Sequence, residues 1–183
     1  MVRITGGILK GRKLLVPKIP DLRPTTDMVR ESVFNILRNR TEGARILDLF
    51  AGTGALGIEA LSRGAVEAVF VEKDRKVLEA LKRNLASCGV EAQSRVIPMP
   101  AEKAIFYLEK RSEKFDLIFL DPPYHTELAS TVLDRLSPLV DNEGLVILEH
   151  DAQQKPLIDQ AIWVIEDSRR FGRTMVCFLS VRR

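Results

Sequence analysis

Four residues, Asp121-Pro122-Pro123-Tyr124, close the apolar run Phe115 to Leu120 and bring together groups that accept hydrogen bonds. Two prolines fix the backbone and remove two N–H donors, so the carbonyls there only accept. With the Asp121 carboxylate, they suit a substrate that presents an NH2 group. Tyr124 adds a flat face on which a nucleobase can stack. An exocyclic base amine is a poor nucleophile, because its lone pair is delocalised into the ring. Hydrogen bonds from its two hydrogens to Asp121 and the Pro122 carbonyl would aim that lone pair at an electrophile and offset charge developing on nitrogen. A base paired in a duplex cannot enter such a site, so its target must be single-stranded or flipped out. The plainer alternative is a rigid proline turn that merely follows a strand.

A second constellation supplies the electrophile. Ile46 to Gly57 reads as an apolar strand, a glycine turn and a helix start. Gly52, Gly54 and Gly57 satisfy G-x-G-x-x-G: the first two allow close backbone approach to a ligand, and the third allows helix to pack on strand. Free N–H groups at the helix start offer hydrogen bonds to the ligand. Glu72 follows Val69-Phe70-Val71 at the distance where a carboxylate meets ribose hydroxyls. Asp48 discriminates between cofactors. A carboxylate before the loop repels a pyrophosphate but suits the ammonium of an amino acid. S-adenosylmethionine carries an amino acid, a ribose and an adenine, so the loop suits it better than a dinucleotide.

From residue 44 onward, strands are expected near 45–50, 67–72, 93–98, 115–120, 143–149, 162–166 and 173–181, and helices near 55–63, 75–87, 101–111, 126–137 and 153–160. Such alternation implies a mainly parallel α/β sheet with helices on both faces and ligands outside the carboxyl ends of the strands. Asp48, Glu72 and Asp121 each close a strand and should line one rim. A short link near 167–172 makes the last two strands a hairpin, with the final strand antiparallel to its neighbours. Upstream, residues 3–18 read as short strands joined by glycine turns and carrying basic side chains. A threonine cap before Asp27 then opens a helix with the apolar stripe Val29, Val33, Ile36 and Leu37, beside which Phe34 is read as core.

One domain over residues 1–183 is expected: an extension at 1–40 and an α/β core at 41–183. Residues 1–40 hold nine Lys/Arg against three Asp/Glu, residues 41–165 hold 14 against 20, and residues 166–183 hold five against two. Basic ends on a mildly acidic body point to a polyanionic partner, with a basic hairpin contacting phosphates. No apolar run approaches a membrane span, no signal-peptide core is visible, and Cys88 and Cys177 match no metal spacing. A metal-free cytoplasmic protein with reduced cysteines, a monomer, is the expectation.

Asp48-Leu49-Phe50-Ala51-Gly52-Thr53-Gly54 together with Asp121-Pro122-Pro123-Tyr124 resembles the class I amino-methyltransferases that modify exocyclic nitrogens of DNA or RNA bases. Arg3-Ile4-Thr5-Gly6-Gly7, Lys10-Gly11-Arg12-Lys13, Arg23-Pro24-Thr25-Thr26-Asp27, Val33-Phe34-Asn35-Ile36-Leu37 and Arg170-Phe171-Gly172-x-Thr174 narrow the likeness to the bacterial RsmD family. That resemblance implies a Rossmann-like seven-stranded sheet and a methyl group passed from S-adenosylmethionine to N2 of one guanine in 16S rRNA. The substrate it implies is a largely assembled 30S subunit. A DNA adenine-N6 or cytosine-N4 methyltransferase is the alternative, although such enzymes usually need a recognition domain for which this chain has no length. The cofactor set expected is Thr25 and Thr26 at the methionine part, Asp48, Ala51, Gly52 and Gly54 in the loop, Glu72 at the ribose, and Lys73 as a further cofactor contact. Ala101 is expected at the adenine, where Pro100-Ala101 replaces the Asp-Ala or Asn-Ala of many relatives. Asp121, Pro122, Pro123 and Tyr124 meet the base. Arg3, Lys10, Arg12, Lys13, Arg23 and Arg30 are the RNA-binding candidates.

Overall fold

A computed structural model of the chain describes residues 2–17, 26–122, 126–154 and 156–183. Two short antiparallel strands, β1 (Val2–Arg3) and β2 (Lys13–Leu14), form the N-terminal hairpin. Helix α1 (Asp27–Leu37) follows, its N-terminus capped by Thr26 Oγ1, which accepts from the Val29 N–H at 3.3 Å.

The core then alternates: β3 (Arg45–Asp48), α2 (Ala55–Ser62), β4 (Glu67–Val71), α3 (Arg75–Cys88), β5 (Ser94–Ile97), α4 (Ala101–Glu109), β6 (Phe115–Leu120), α5 (Thr126–Leu133), β7 (Val140–Asp151), β8 (Trp163–Phe171) and β9 (Thr174–Val181). The seven core strands are ordered β5-β4-β3-β6-β7-β9-β8, parallel from β5 to β7 and antiparallel at β9. Strands β3, β4 and β6 are near-continuous apolar runs because helices cover both faces. On one face, Val33 and Phe34 of α1, Ile58 of α2 and Leu81 of α3 pack with Ile46, Phe70, Phe119 and Ile147. On the other, Ile105 and Leu108 of α4 and Val132 of α5 pack with Leu47, Val69, Leu120 and Leu148. Phe34 is core, 2% exposed, its ring 5.7 Å from that of Phe119.

The chain winds outward from β3 to β5, then returns to place β6 on the other side of β3. The strand order thus reverses between β3 and β6, and the carboxyl ends of these two strands are the usual ligand position in such sheets.

Three expectations need correction. No helix forms at 153–160 among the described residues: Pro156 lacks a donor, and Asp151 and Asp159 instead tie turns through the N–H groups of Gln153 and Ala161. The segment 167–172 is not a link but strand almost throughout, and β8 turns into β9 at Gly172 and Arg173. Helix α5 stops at Leu133, ahead of a 3-10 turn holding Pro138.

Candidate active site

Asp48 ends β3 beside Phe70 and Phe119, and Glu72 and Asp121 lie one residue beyond β4 and β6. Side chains alternate between faces along a strand, and Ile46, Phe70 and Phe119 lie in the same core layer. Asp48, Glu72 and Asp121 thus follow them to one side of one rim.

The loop between Asp48 and α2 is rigid. Ala51 N–H donates to Val71 O at 3.0 Å, Gly54 N–H to Ala51 O at 2.7 Å, and Gly52 N–H to Glu72 Oε2 at 3.1 Å. The other Glu72 oxygen accepts from the N–H groups of Lys73 and Asp74 at 2.7 and 2.9 Å. Gly54 sits at φ +85°, and a Cβ there would meet Leu81 at 2.5 Å. Gly57 lies against Phe70, where a Cβ would fall 2.2 Å from the ring, so its lack of a side chain sets how closely α2 packs on β4.

Asp48 is 2% exposed and accepts from Gly57 N–H at 3.2 Å. Burial pushes its carboxyl up to about 7, against the Gly57 hydrogen bond, and the nearby charges of Asp121 and Glu72 add to the rise. Because the folded protein holds this proton more tightly than the unfolded chain, stability falls as pH rises from about 4 to about 7. The upper bound of that loss is about 4 kcal/mol. Asp48→Asn should flatten the fall in melting temperature between pH 5 and 8. Parallel wild-type and variant profiles would rule out a raised Asp48.

Two residues absent from the sequence reading tie the N-terminal segment to the core, and one of them also holds the loop. Asn84 of α3, 1% exposed, donates to Thr53 O at 2.9 Å and to Leu15 O at 3.0 Å while accepting from Leu15 N–H at 2.7 Å. Its signal is an asparagine inside the apolar stripe Leu81, Leu85 and Cys88. Glu59 of α2, wholly buried, accepts from Thr5 N–H and Oγ1 at 2.7 and 2.9 Å and pairs with Arg63 at 2.8 Å and Arg30 at 3.5 Å.

Arg30 is consequently a correction. Expected at RNA phosphates, it is fully buried, bonded to Glu59, Asp27 and the Arg3 carbonyl, and so faces no phosphate. Arg3, Lys10, Arg12 and Lys13 are exposed on the N-terminal hairpin and its connecting turns, with Arg3 paired to Asp27 at 3.2 Å. Ala101 opens α4 just after β5, with its side chain buried. Thr26 stands at the start of α1 with its hydroxyl engaged as cap, and Lys73 is exposed beside Glu72. Pro122 follows Asp121, both partly buried. Arg23, Thr25, Pro123 and Tyr124 lie outside the described residues.

A family profile described as "Conserved hypothetical protein 95" matches residues 2–180. The chain is 37% identical over 174 residues to ribosomal RNA small subunit methyltransferase D of Escherichia coli K12, covering 94% of this chain and 86% of that protein. It is 35% identical over 175 residues to the protein of the same name from Haemophilus influenzae, covering 93% and 89%. A hypothetical protein of Thermus thermophilus superposes with a TM-score of 0.83 at 34% identity, over 97% of this chain and 98% of that one.

Proposed function

Because the chain belongs to the RsmD family of methyltransferases, we propose that it methylates the exocyclic N2 of one guanine in 16S rRNA, with S-adenosylmethionine as donor and a partly assembled 30S subunit as substrate. The observation that carries this reading is the adjacency of β3 and β6 at the point where the winding reverses. It sends the glycine loop and Asp121-Pro122 off one rim.

The residues present fit the donor. Glycines at 52 and 54, both at positive φ, leave the loop backbone bare of side chains at those two positions. Asp48 stands behind it for an ammonium, and Glu72 beside it for ribose hydroxyls. Thr25, Thr26, Ala51 and Lys73 would complete the cradle, and the backbone at Ala101 would meet adenine. S-adenosylmethionine, when bound, supplies a methyl group on an electrophilic sulfonium.

The chain's own residues then act on the base. Asp121 and the Pro122 carbonyl accept the two amine hydrogens, turning the nitrogen lone pair toward the methyl. Asp121 offsets the positive charge on that nitrogen as the N–CH3 bond forms and the bond from methyl to sulfur breaks, where a preorganised carboxylate is worth more than in water. The methylated nitrogen then gives up one of its two protons to solvent past Asp121. Pro123 and Tyr124 are assigned to the same motif, Tyr124 as the ring on which the splayed-out base stacks. Arg3, Lys10, Arg12, Lys13 and Arg23 hold the surrounding RNA by its phosphates.

The test is incubation of the protein with labelled methyl donor and small subunits lacking the modification, followed by nucleoside analysis. N2-methylguanosine is the expected product. Label confined to N6-methyladenosine or to DNA would reject the reading.

A further inference from the structure

The rim extends one strand beyond the residues considered so far. Leu120 of β6 stands beside Leu148 of β7, so Asp121 is followed across the sheet by Glu149. Both leucines belong to the layer under α4 and α5, whereas Phe119, Ile147 and Val176, the partner of Glu149 on β9, belong to the opposite layer. Alternation therefore turns Glu149 and Asp121 to the same side, on strands about 5 Å apart. Glu149 is half-buried and lies near the carboxyl end of β7, directly after four apolar and buried residues, Leu145 to Leu148.

We propose that Glu149 is a specificity-determining residue that accepts the N1–H of the target guanine while Asp121 holds its N2 amine. The inference rests on the guanine reading above and goes further, because the chemistry separates the three amino bases. Guanine presents two neighbouring donors, N1–H and the N2 amine, to a pair of acceptors. Adenine sets the N1 lone pair beside its N6 amine, and cytosine sets the N3 lone pair beside its N4 amine. A second carboxylate would repel either lone pair. One acceptor serves any amine; two side by side select guanine.

The test uses reconstituted small subunits carrying either guanine or 2-aminopurine at the target position. 2-Aminopurine keeps the amine but has a lone pair at N1. Wild-type protein should prefer guanine by about a hundredfold or more, since a site built to accept a substrate N–H rejects efficiently an analogue that lacks it. Glu149→Gln, whose amide can donate to N1, should cut that preference at least about tenfold. Glu149→Met is the second variant, expected to lower the rate on guanine while sparing 2-aminopurine. If both variants make N2-methylguanosine with the wild-type preference, the assignment of Glu149 is overturned while the guanine function stands. If wild-type protein itself labels another base or position, both readings fall, and the result is recognisable because no variant is needed to see it.

Discussion

Asp121→Ala should lower single-turnover methylation of small subunits by about 10²–10³-fold, the size of loss that follows removal of one preorganised group from a charged transition state. Cofactor affinity, measured by calorimetry, should stay within about twofold, because Asp121 is assigned to the acceptor and not to the donor. Asp121→Asn keeps an acceptor oxygen but loses the charge, and should fall between the two. An alanine variant turning over at the wild-type rate would remove Asp121 from the mechanism and leave Asp121-Pro122 a turn.

Glu59→Ala should be among the most destabilising single substitutions in the chain. It would leave Arg30, whose side chain is wholly buried, with the partly exposed Asp27 as its remaining carboxylate partner, and would take from Thr5 and Arg63 their buried acceptor. Breaking one half of a buried pair costs about 3–5 kcal/mol. That loss is visible as a shift in the midpoint of denaturant unfolding with little change in slope. Glu59→Gln preserves acceptor and shape and should cost less. A loss below about 1 kcal/mol for the alanine variant would mean that the N-terminal hairpin and the helix after the glycine loop are not joined through this network.

The alternation of core strands and helices is legible in the chain because apolar runs and helical stripes report burial directly. Ile46-Leu47, Val69-Phe70-Val71 and Phe115 to Leu120 have no other stable place than inside a covered sheet. The final strands are harder. Segment 166–170 is polar, so hydropathy alone reads a link, whereas it lies on the edge strand β8 and takes its order from pairing with β9. The stretch 153–160 misleads in the opposite way, since its spacing imitates a helix while Pro156, Asp151 and Asp159 favour turns. Arg30 shows the limit for the site. A basic residue on the flank of α1 looks like a phosphate contact until the folded chain brings Glu59 from another helix against it. The partners of Glu59 and Asn84 are hidden for the same reason, since Thr5, Leu15 and Thr53 are far away in sequence, although a polar Asn84 inside an apolar stripe marks that a partner exists. The rim of carboxylates is readable because each directly follows an apolar strand.

On the proposed reading, two turns from neighbouring strands deliver a methyl group to a nucleobase amine. A crystal structure with S-adenosylhomocysteine and a short RNA carrying the target guanosine tests it most directly. The amino-acid end of the cofactor should lie by Asp48 and its ribose on Glu72, with the sulfur pointing at the guanine N2 held by Asp121 and the Pro122 carbonyl. A cofactor bound away from the glycine loop, or a guanine whose amine faces away from Asp121, would contradict it.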